Sequence, residues 1–477
     1  MRPWRSTLAA VLAGVLAAQG AAYAAIDERE LGRRFYLEAR SELPLIDDPA
    51  VQEYVERIGR RIVDQLGDQP FDYHFYVVQE PVMNAFSVPG GYLFVFSGLL
   101  ARVKTDDELA GVLGHETGHA HAHHVTRMET QTAPWTVASL LGMLLSVVNP
   151  VLGMGAMAAA QAVQLRYSRD FEQEADYLGL RYMSAAGYDP YALGSFFKEL
   201  LIEQRLNPAG APPYMLSHPL TEDRIANIDS NIKAQKLSTP KGRPAAAPDL
   251  GEVRAVARAI AEPTEVVVAE YKRQADAKPG DPERQLELGR VYQTVGQLEA
   301  ARAALENARP LGTRVDRPLG AVYQALKRPA DAKPALERYL KEHPDDGWSH
   351  LQLGKALADS GDDAGALREY QRAVSLDGDL DEAHRLMGLS LGRKGQEAEG
   401  FYQLAVASRL RGEVEQAYSH FQRTLKLLPD DSPRHKEVEE AIAELRPIVA
   451  ERERQRMERQ RRRGLLPGMS RPGSIHG

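Results

Sequence analysis

The chain has 477 residues, 43% of them hydrophobic and 26% charged, which fits a folded protein of two or three domains and excludes a wholly disordered one. A net charge of −7 argues against a nucleic-acid partner, which would require a basic surface. There is no cysteine, so disulfides, thiolate metal sites and cysteine nucleophiles are all excluded, and any bound metal must be held by His, Asp and Glu.

The chain opens with Arg2 and Arg5, an apolar stretch from Thr7 to Ala22, and the small-x-small run Ala22-Tyr23-Ala24. This pattern predicts a secretory signal peptide over residues 1–24, cleaved after Ala24 in a cell envelope. Residues 25–240 mix strand and helix signals and form the first expected domain. Tyr73–Val78 and Tyr92–Phe96 are β-branched and aromatic runs bounded by turn residues, the second entered through Pro89-Gly90-Gly91. Thr105-Asp106-Asp107-Glu108 is a capping-box pattern, which predicts a helix from about Thr105 through His119.

That helix carries His115-Glu116-Thr117-Gly118-His119. Residues four apart share a helix face, so His115 and His119 can chelate one ion. Two neutral imidazoles suit tetrahedral zinc, with Glu116 as the general base for the attacking water. A third protein ligand is then needed. His121, His123 and His124 lie just beyond the pair and would need a sharp bend to reach the same ion, so they are expected to decorate the helix end. A better source is the run Ser168-Arg169-Asp170-Phe171-Glu172-Gln173-Glu174-Ala175-Asp176, which opens a second helix ended by Gly187 and Pro190. Glu172 and Asp176 share a face there. Glu172 completes a His-His-Glu set, and Asp176 is expected beside it, orienting a ligand histidine or assisting catalysis.

Between these helices, residues 134–163 are strongly apolar but broken by Asn149-Pro150, and each half is too short to span a bilayer. They read as a buried hairpin, with contact to membrane or an apolar client as the alternative. Residues 241–262, opening in a Pro- and Ala-rich stretch, read as a linker.

Residues 263–447 read as helix after helix. Small residues recur at Gly289, Gly320, Gly354 and Gly388, spaced by 31, 34 and 34. That is the tetratricopeptide period, in which paired helices approach closely and stack into a protein-binding solenoid. The next small residue, Ala405, follows after only 17, which predicts a truncated or distorted repeat. Residues 448–477 are Arg-rich and read as a basic, disordered tail.

The two motifs together, His115-Glu116-x-x-His119 and Ser168-Arg169-x-x-Glu172-x-x-Ala175-Asp176, resemble those of the HtpX-type gluzincin peptidases and the CAAX prenyl endopeptidases. The resemblance implies an α+β, mostly helical fold: a zincin-like metalloprotease domain with a small β-sheet, then an α-solenoid. It implies one zinc ion per chain, held by His115, His119 and Glu172, with Glu116 and Asp176 catalytic. Asn84–Phe96 resembles the family's edge-strand segment beside the cleft. With its signal peptide and repeats, the chain is similar to a periplasmic branch of the family. In that branch a histidine matching His218, in Ser217-His218-Pro219, can occupy the metal's fourth position and hold the enzyme latent. The branch implies a zinc endopeptidase acting on misfolded or stalled exported proteins, outer-membrane β-barrel precursors among them. Its repeats contact the barrel-assembly machinery and lend chaperone-like activity. The alternative from another class is a non-proteolytic chaperone or scaffold.

Overall fold

A computed structural model describes residues 27–69, 71–129, 169–206, 212–238 and 250–462. The expected signal peptide and the apolar stretch 134–163 lie outside the described residues. The described chain divides into two compact units, one ending at Gln297 and one beginning at Leu298.

The first unit opens with helices α1 (Glu28–Glu42) and α2 (Pro49–Val63). Asp48 caps α2 by accepting from the amides of Ala50 and Val51, and Pro49 sits at the first helical position, where no amide is needed. Three strands follow: β1 (His74–Val78), β2 (Ala85–Val88) and β3 (Tyr92–Phe96), in the order β1-β3-β2. β1 runs parallel to β3, and β2 antiparallel to it. The β2–β3 turn is Pro89-Gly90-Gly91, with φ of 84° and 87° at the two glycines. A Cβ on Gly91 would also stand 2.8 Å from the Asp72 carbonyl oxygen, so side chains are excluded there twice over.

The sheet is buried on both faces. Leu93 and Val95 of β3 join a large core with Phe75, Val77, Tyr54 and Ile58, while Phe94 and Phe96 point into a second cluster with Phe35 and Leu43. This is period-two alternation with both faces apolar. β1 and β3 match the two strand signals in the sequence. β2 lies in the segment that the resemblance identified with an edge strand, and it is the outer strand next to β3.

The helices that follow are α3 (Ser97–Leu100), α4 (Asp106–His121), α5 (His124–Glu129), α6 (Arg169–Ala185), α7 (Tyr191–Leu206), α8 (Pro213–Ser217) and α9 (Glu222–Ala234). The capping box is present. Thr105 Oγ1 accepts from the Glu108 amide at 3.2 Å, and the Glu108 carboxylate accepts from the Lys104 amide at 2.6 Å.

Three more helices complete the unit: α10 (Leu250–Ala261), α11 (Thr264–Ala277) and α12 (Pro282–Thr294). α10 falls in the stretch expected to be linker. Val253, Val256 and Ala257 are buried in the same core as Ile58 and Leu99, because their spacing makes one apolar helix face. Arg290 of α12 bonds Asp48 and Glu252.

The second unit is wholly helical: α13 (Leu298–Asn307), α14 (Thr313–Ala325), α15 (Pro329–Glu342), α16 (Gly347–Asp359), α17 (Asp363–Leu376), α18 (Asp381–Arg393), α19 (Glu397–Leu410), α20 (Val414–Leu427) and α21 (His435–Arg462), with a short 3₁₀ turn at Arg309–Leu311. Gly354 lies under the Tyr370 ring, where a Cβ would meet a ring carbon at 2.5 Å. The 17-residue step is not a truncated repeat. Gly388 of α18 faces Gly400 of α19, where a Cβ would meet the partner's carbonyl oxygen at 2.8–3.0 Å. Ala405 lies further along the same α19, followed by Ala417 and Phe421 buried on α20. One helix thus serves as second partner to α18 and first partner to α20. The tail expected to be disordered from residue 448 is helical to Arg462, and Ile448 and Val449 continue the buried stripe of Val438, Ile442 and Leu445. Residues 463–477 lie outside the described residues.

Candidate metal centre

The site is built where α4 crosses α6. Small residues let the two backbones meet. A Cβ on Gly118 would stand 2.8 Å from the Ala175 carbonyl oxygen, and one on Gly179 would stand 2.7 Å from the Gly114 carbonyl carbon. This close approach brings the α4 face bearing His115, Glu116 and His119 against the α6 face bearing Glu172 and Asp176. His218, at the end of α8, enters the same space. All six residues are buried, none more than 4% exposed.

One atom each from His115, His119, Glu172 and His218 lies within 4.8 Å of the others, a grouping that could hold a metal ion. His119 Nε2 is 3.0 Å from His115 Nε2, which is 3.2 Å from His218 Nδ1. Glu172 Oε1 lies 3.3 Å from His119 Nε2 and 2.9 Å from His218 Nδ1. Behind His115, its Nδ1 is 2.9 Å from Asp176 Oδ1. Behind His119, its Nδ1 is 2.9 Å from His124 Nδ1.

The partners assign the protons. A neutral His115 that donates from Nδ1 to Asp176 has a bare lone pair at Nε2. A neutral His119 that donates from Nδ1 does too. Two lone pairs 3.0 Å apart, beside a carboxylate, repel one another unless a cation stands between them. Glu116 Oε1 adds a buried oxygen with no hydrogen bond among the described residues. The donor set is oxygen and imidazole nitrogen only, which fits zinc.

The electrostatics are those of a dry site. Burial raises the Glu116 carboxyl above the usual range, only partly opposed by His218 and His115. Burial pushes His119 well below the usual imidazole value. It would raise Glu172 too, but His218 and Arg224 outweigh it and hold that carboxyl well below its ordinary range. Asp176 is likewise held low, chiefly by Arg224 against burial. For His218, burial is outweighed by Glu172 and Glu116, and the net direction is upward.

Arg224 is a buried member of this cluster that the sequence pattern did not single out. Its guanidinium reaches Asp176 through two nitrogens at 2.8 Å each and Glu172 through Nη1 at 2.5 Å. It also lies over the Phe197 ring at 4.9 Å. The signal was its place three residues after Thr221, whose hydroxyl caps α9 by accepting from the Arg224 amide at 3.1 Å. Ser87 of β2, 3.5 Å from Glu116 Oε2, was not singled out either. His124 corrects an expectation. His121 and His123 are partly exposed near the helix end, but His124 is fully buried, and burial pushes its imidazole down to about 4. It is a buried imidazole packed on the site, not a decoration of the helix end.

Residues 49–232 match the model of peptidase family M48, and residues 323–389 match that of a tetratricopeptide repeat. The matched stretch 49–232 holds both motifs and is similar to that metallopeptidase family. The metal of the M48 family is zinc. Among similar proteins, the putative beta-barrel assembly-enhancing protease of Vibrio cholerae is 30% identical over 314 residues, covering 64% of this chain and 58% of that protein. The beta-barrel assembly-enhancing protease of Escherichia coli is 29% identical over 406 residues, covering 76% and 82%. The mitochondrial metalloendopeptidase OMA1 of Arabidopsis thaliana is 33% identical over 194 residues, covering 40% of this chain and 39% of that protein. Among the described residues, no helix is long and apolar enough to cross a membrane.

Proposed function

We propose that this chain is a zinc endopeptidase of the periplasm that cuts unfolded or misassembled outer-membrane β-barrel proteins and is latent at rest. The observation that carries the reading is the convergence of four buried donor residues, His115, His119, Glu172 and His218, beside a buried glutamate with one oxygen that takes no hydrogen bond among the described residues. Bound there, zinc supplies Lewis-acid polarisation of the scissile carbonyl and of the attacking water.

The chain's own residues do the rest. His115, His119 and Glu172 hold the ion. Glu116, raised by burial, takes the proton from water and returns it to the leaving amine. Asp176 fixes the His115 ring through Nδ1. β2 has one edge on β3 and no strand on its other edge among the described residues, so an extended substrate can pair with it beside Glu116. His218, 2.9 Å from Glu172 and 3.4 Å from Glu116, fills the position a substrate carbonyl would need, and is the brake. The names of the Vibrio and Escherichia relatives support the substrate class and a link to barrel assembly through the repeats.

The test is cleavage of an unfolded protein by the His218→Ala chain, with and without Glu116→Gln. Removing the brake from both prevents latency from hiding activity. Cutting only by the Glu116-intact protein, abolished by a chelator, supports the peptidase. No cutting by either, with zinc still bound, favours the chaperone or scaffold.

A further inference from the structure

We propose that His124 is a positioning residue of the metal centre: it accepts the Nδ1 proton of His119 and passes the link to Glu174, so that His119 keeps a bare Nε2 toward the ion. The proposal rests on the reading above that His119 is a ligand.

A proton must lie between His119 Nδ1 and His124 Nδ1, which are 2.9 Å apart. If His124 donated it, a neutral His119 would carry its own proton on Nε2, aimed at His115 Nε2 and Glu172, and could not ligate. If His119 donates it, His124 must accept at Nδ1 and carry its proton on Nε2. A receiver for that proton is present: Glu174 Oε2 lies 3.2 Å from His124 Nε2. Glu174 in turn accepts from Arg127 Nη1 at 2.9 Å. The chain of bonds therefore runs in one direction, from ligand to a carboxylate at the surface. The two ligand histidines are held differently: His115 acts directly on the Asp176 carboxylate, and His119 acts through an intervening imidazole.

The fold takes specific measures to place His124. Five residues beyond His119, it would sit about 140° round a continuous helix and could not turn back on it. The helix instead ends at His121, and His123 adopts φ of 55°, a left-handed conformation rare for a residue with a side chain. Glu28 holds the His123 ring at 3.0 Å. The turn swings His124 under His119, where its ring stacks on Phe171 at 4.4 Å and 14°. Phe171 precedes the ligand Glu172 on α6, so the same stack ties His119 to the second ligand helix.

The test is the zinc affinity of the full chain, measured by competition with a chromogenic chelator. His124→Phe keeps a ring on Phe171 but removes the acceptor, and is expected to weaken zinc about 10- to 100-fold. His124→Asn places an oxygen near the Nδ1 position and is expected to recover most of that loss. An affinity in His124→Phe equal to wild type overturns the proposal. So does His124→Asn as weak as His124→Phe, since an acceptor restored near the Nδ1 position would then make no difference to the ion. If His124→Phe does not fold, Glu174→Ala reads the outer half: weaker zinc supports the relay and unchanged zinc overturns it. His119→Ala is the control for the underlying reading. Unchanged zinc there removes His119 as a ligand, whereas lost zinc there with normal zinc in His124→Phe removes only the relay.

Discussion

Arg224 and Asp176 form a two-point ion pair sealed from water, with Nε and Nη2 each 2.8 Å from a different carboxylate oxygen. The same Asp176 carboxylate takes His115 Nδ1 at 2.9 Å, and the same guanidinium takes Glu172. One buried cation therefore serves two buried anions, each attached to the metal set. Arg224→Met leaves both carboxylates buried without it. The expected cost is about 3–5 kcal/mol, the range for breaking one side of a buried pair. Arg224→Lys should recover little, because an ammonium lacks the planar fork that meets both Asp176 oxygens. Urea denaturation of the metal-free chain measures both variants.

Gly179 is where α6 touches α4. A Cβ there would stand 2.7 Å from the Gly114 carbonyl carbon and 2.8 Å from the His115 amide nitrogen, both backbone atoms that cannot rotate away. Gly179→Ala must push the helices apart, at a cost of about 1–3 kcal/mol. Because the contact is at the His115 turn, zinc affinity should fall together with stability. A variant that loses stability yet binds zinc normally would mean the two helices do not share the load of positioning the ligands.

The convergence of these side chains was legible because helix periodicity is local. His115 and His119 share a face by spacing alone, as do Glu172 and Asp176, and the structure sets those two faces together. What spacing cannot show is a residue brought back by a turn or from a distant segment. His124 was misjudged because its place depends on the left-handed turn at His123, an uncommon backbone state for histidine. Arg224 comes to Asp176 from 48 residues along the chain. β2 is only four residues long, and its pattern was carried by resemblance rather than by periodicity. The shared helix α19 was read as a damaged repeat because a 34-residue template expects helices in pairs, whereas stacking requires only that each helix match its two neighbours.

The end of the first unit is also testable. α10 buries Val253 and Val256 in the core that holds Ile58 and Leu99, and Arg290 of α12 bonds Asp48 at the cap of α2. A chain ended at residue 240 loses all of this, with each fully buried valine alone worth about 1.5–3 kcal/mol. A chain ended at Gln297 keeps it. The shorter chain should unfold at markedly lower urea or aggregate, and the longer one should retain a cooperative transition. Equal stability of the two would show that α10 to α12 are carried by the unit without supporting it.

The repeats contain a pH-sensitive bracket. His350 gives Nδ1 to Glu369 at 2.6 Å and Nε2 to the Pro344 carbonyl at 3.1 Å, so both nitrogens face acceptors and the protonated ring is favoured. Burial lowers its pKa, but Glu369 and the carbonyl outweigh burial, and the net direction is upward. A histidine whose folded pKa is raised contributes stability that is fully present below its unfolded value of about 6.5 and is lost as pH rises through the folded value. Thirty-four residues on, His384 makes the same bracket with Gln403 and the Gly378 carbonyl, where the partner is an amide. Glu369→Gln should therefore convert the first bracket into the second. Amide hydrogen exchange over α16 and α17 should show the variant less protected than wild type near pH 5.5, with the gap closing toward pH 8.5 once the rate's own pH dependence is removed. The pair is partly exposed, so screening should keep the gap under about 1 kcal/mol. A gap that grows with pH would mean that His350 is neutral in the fold and that Glu369 acts on something else.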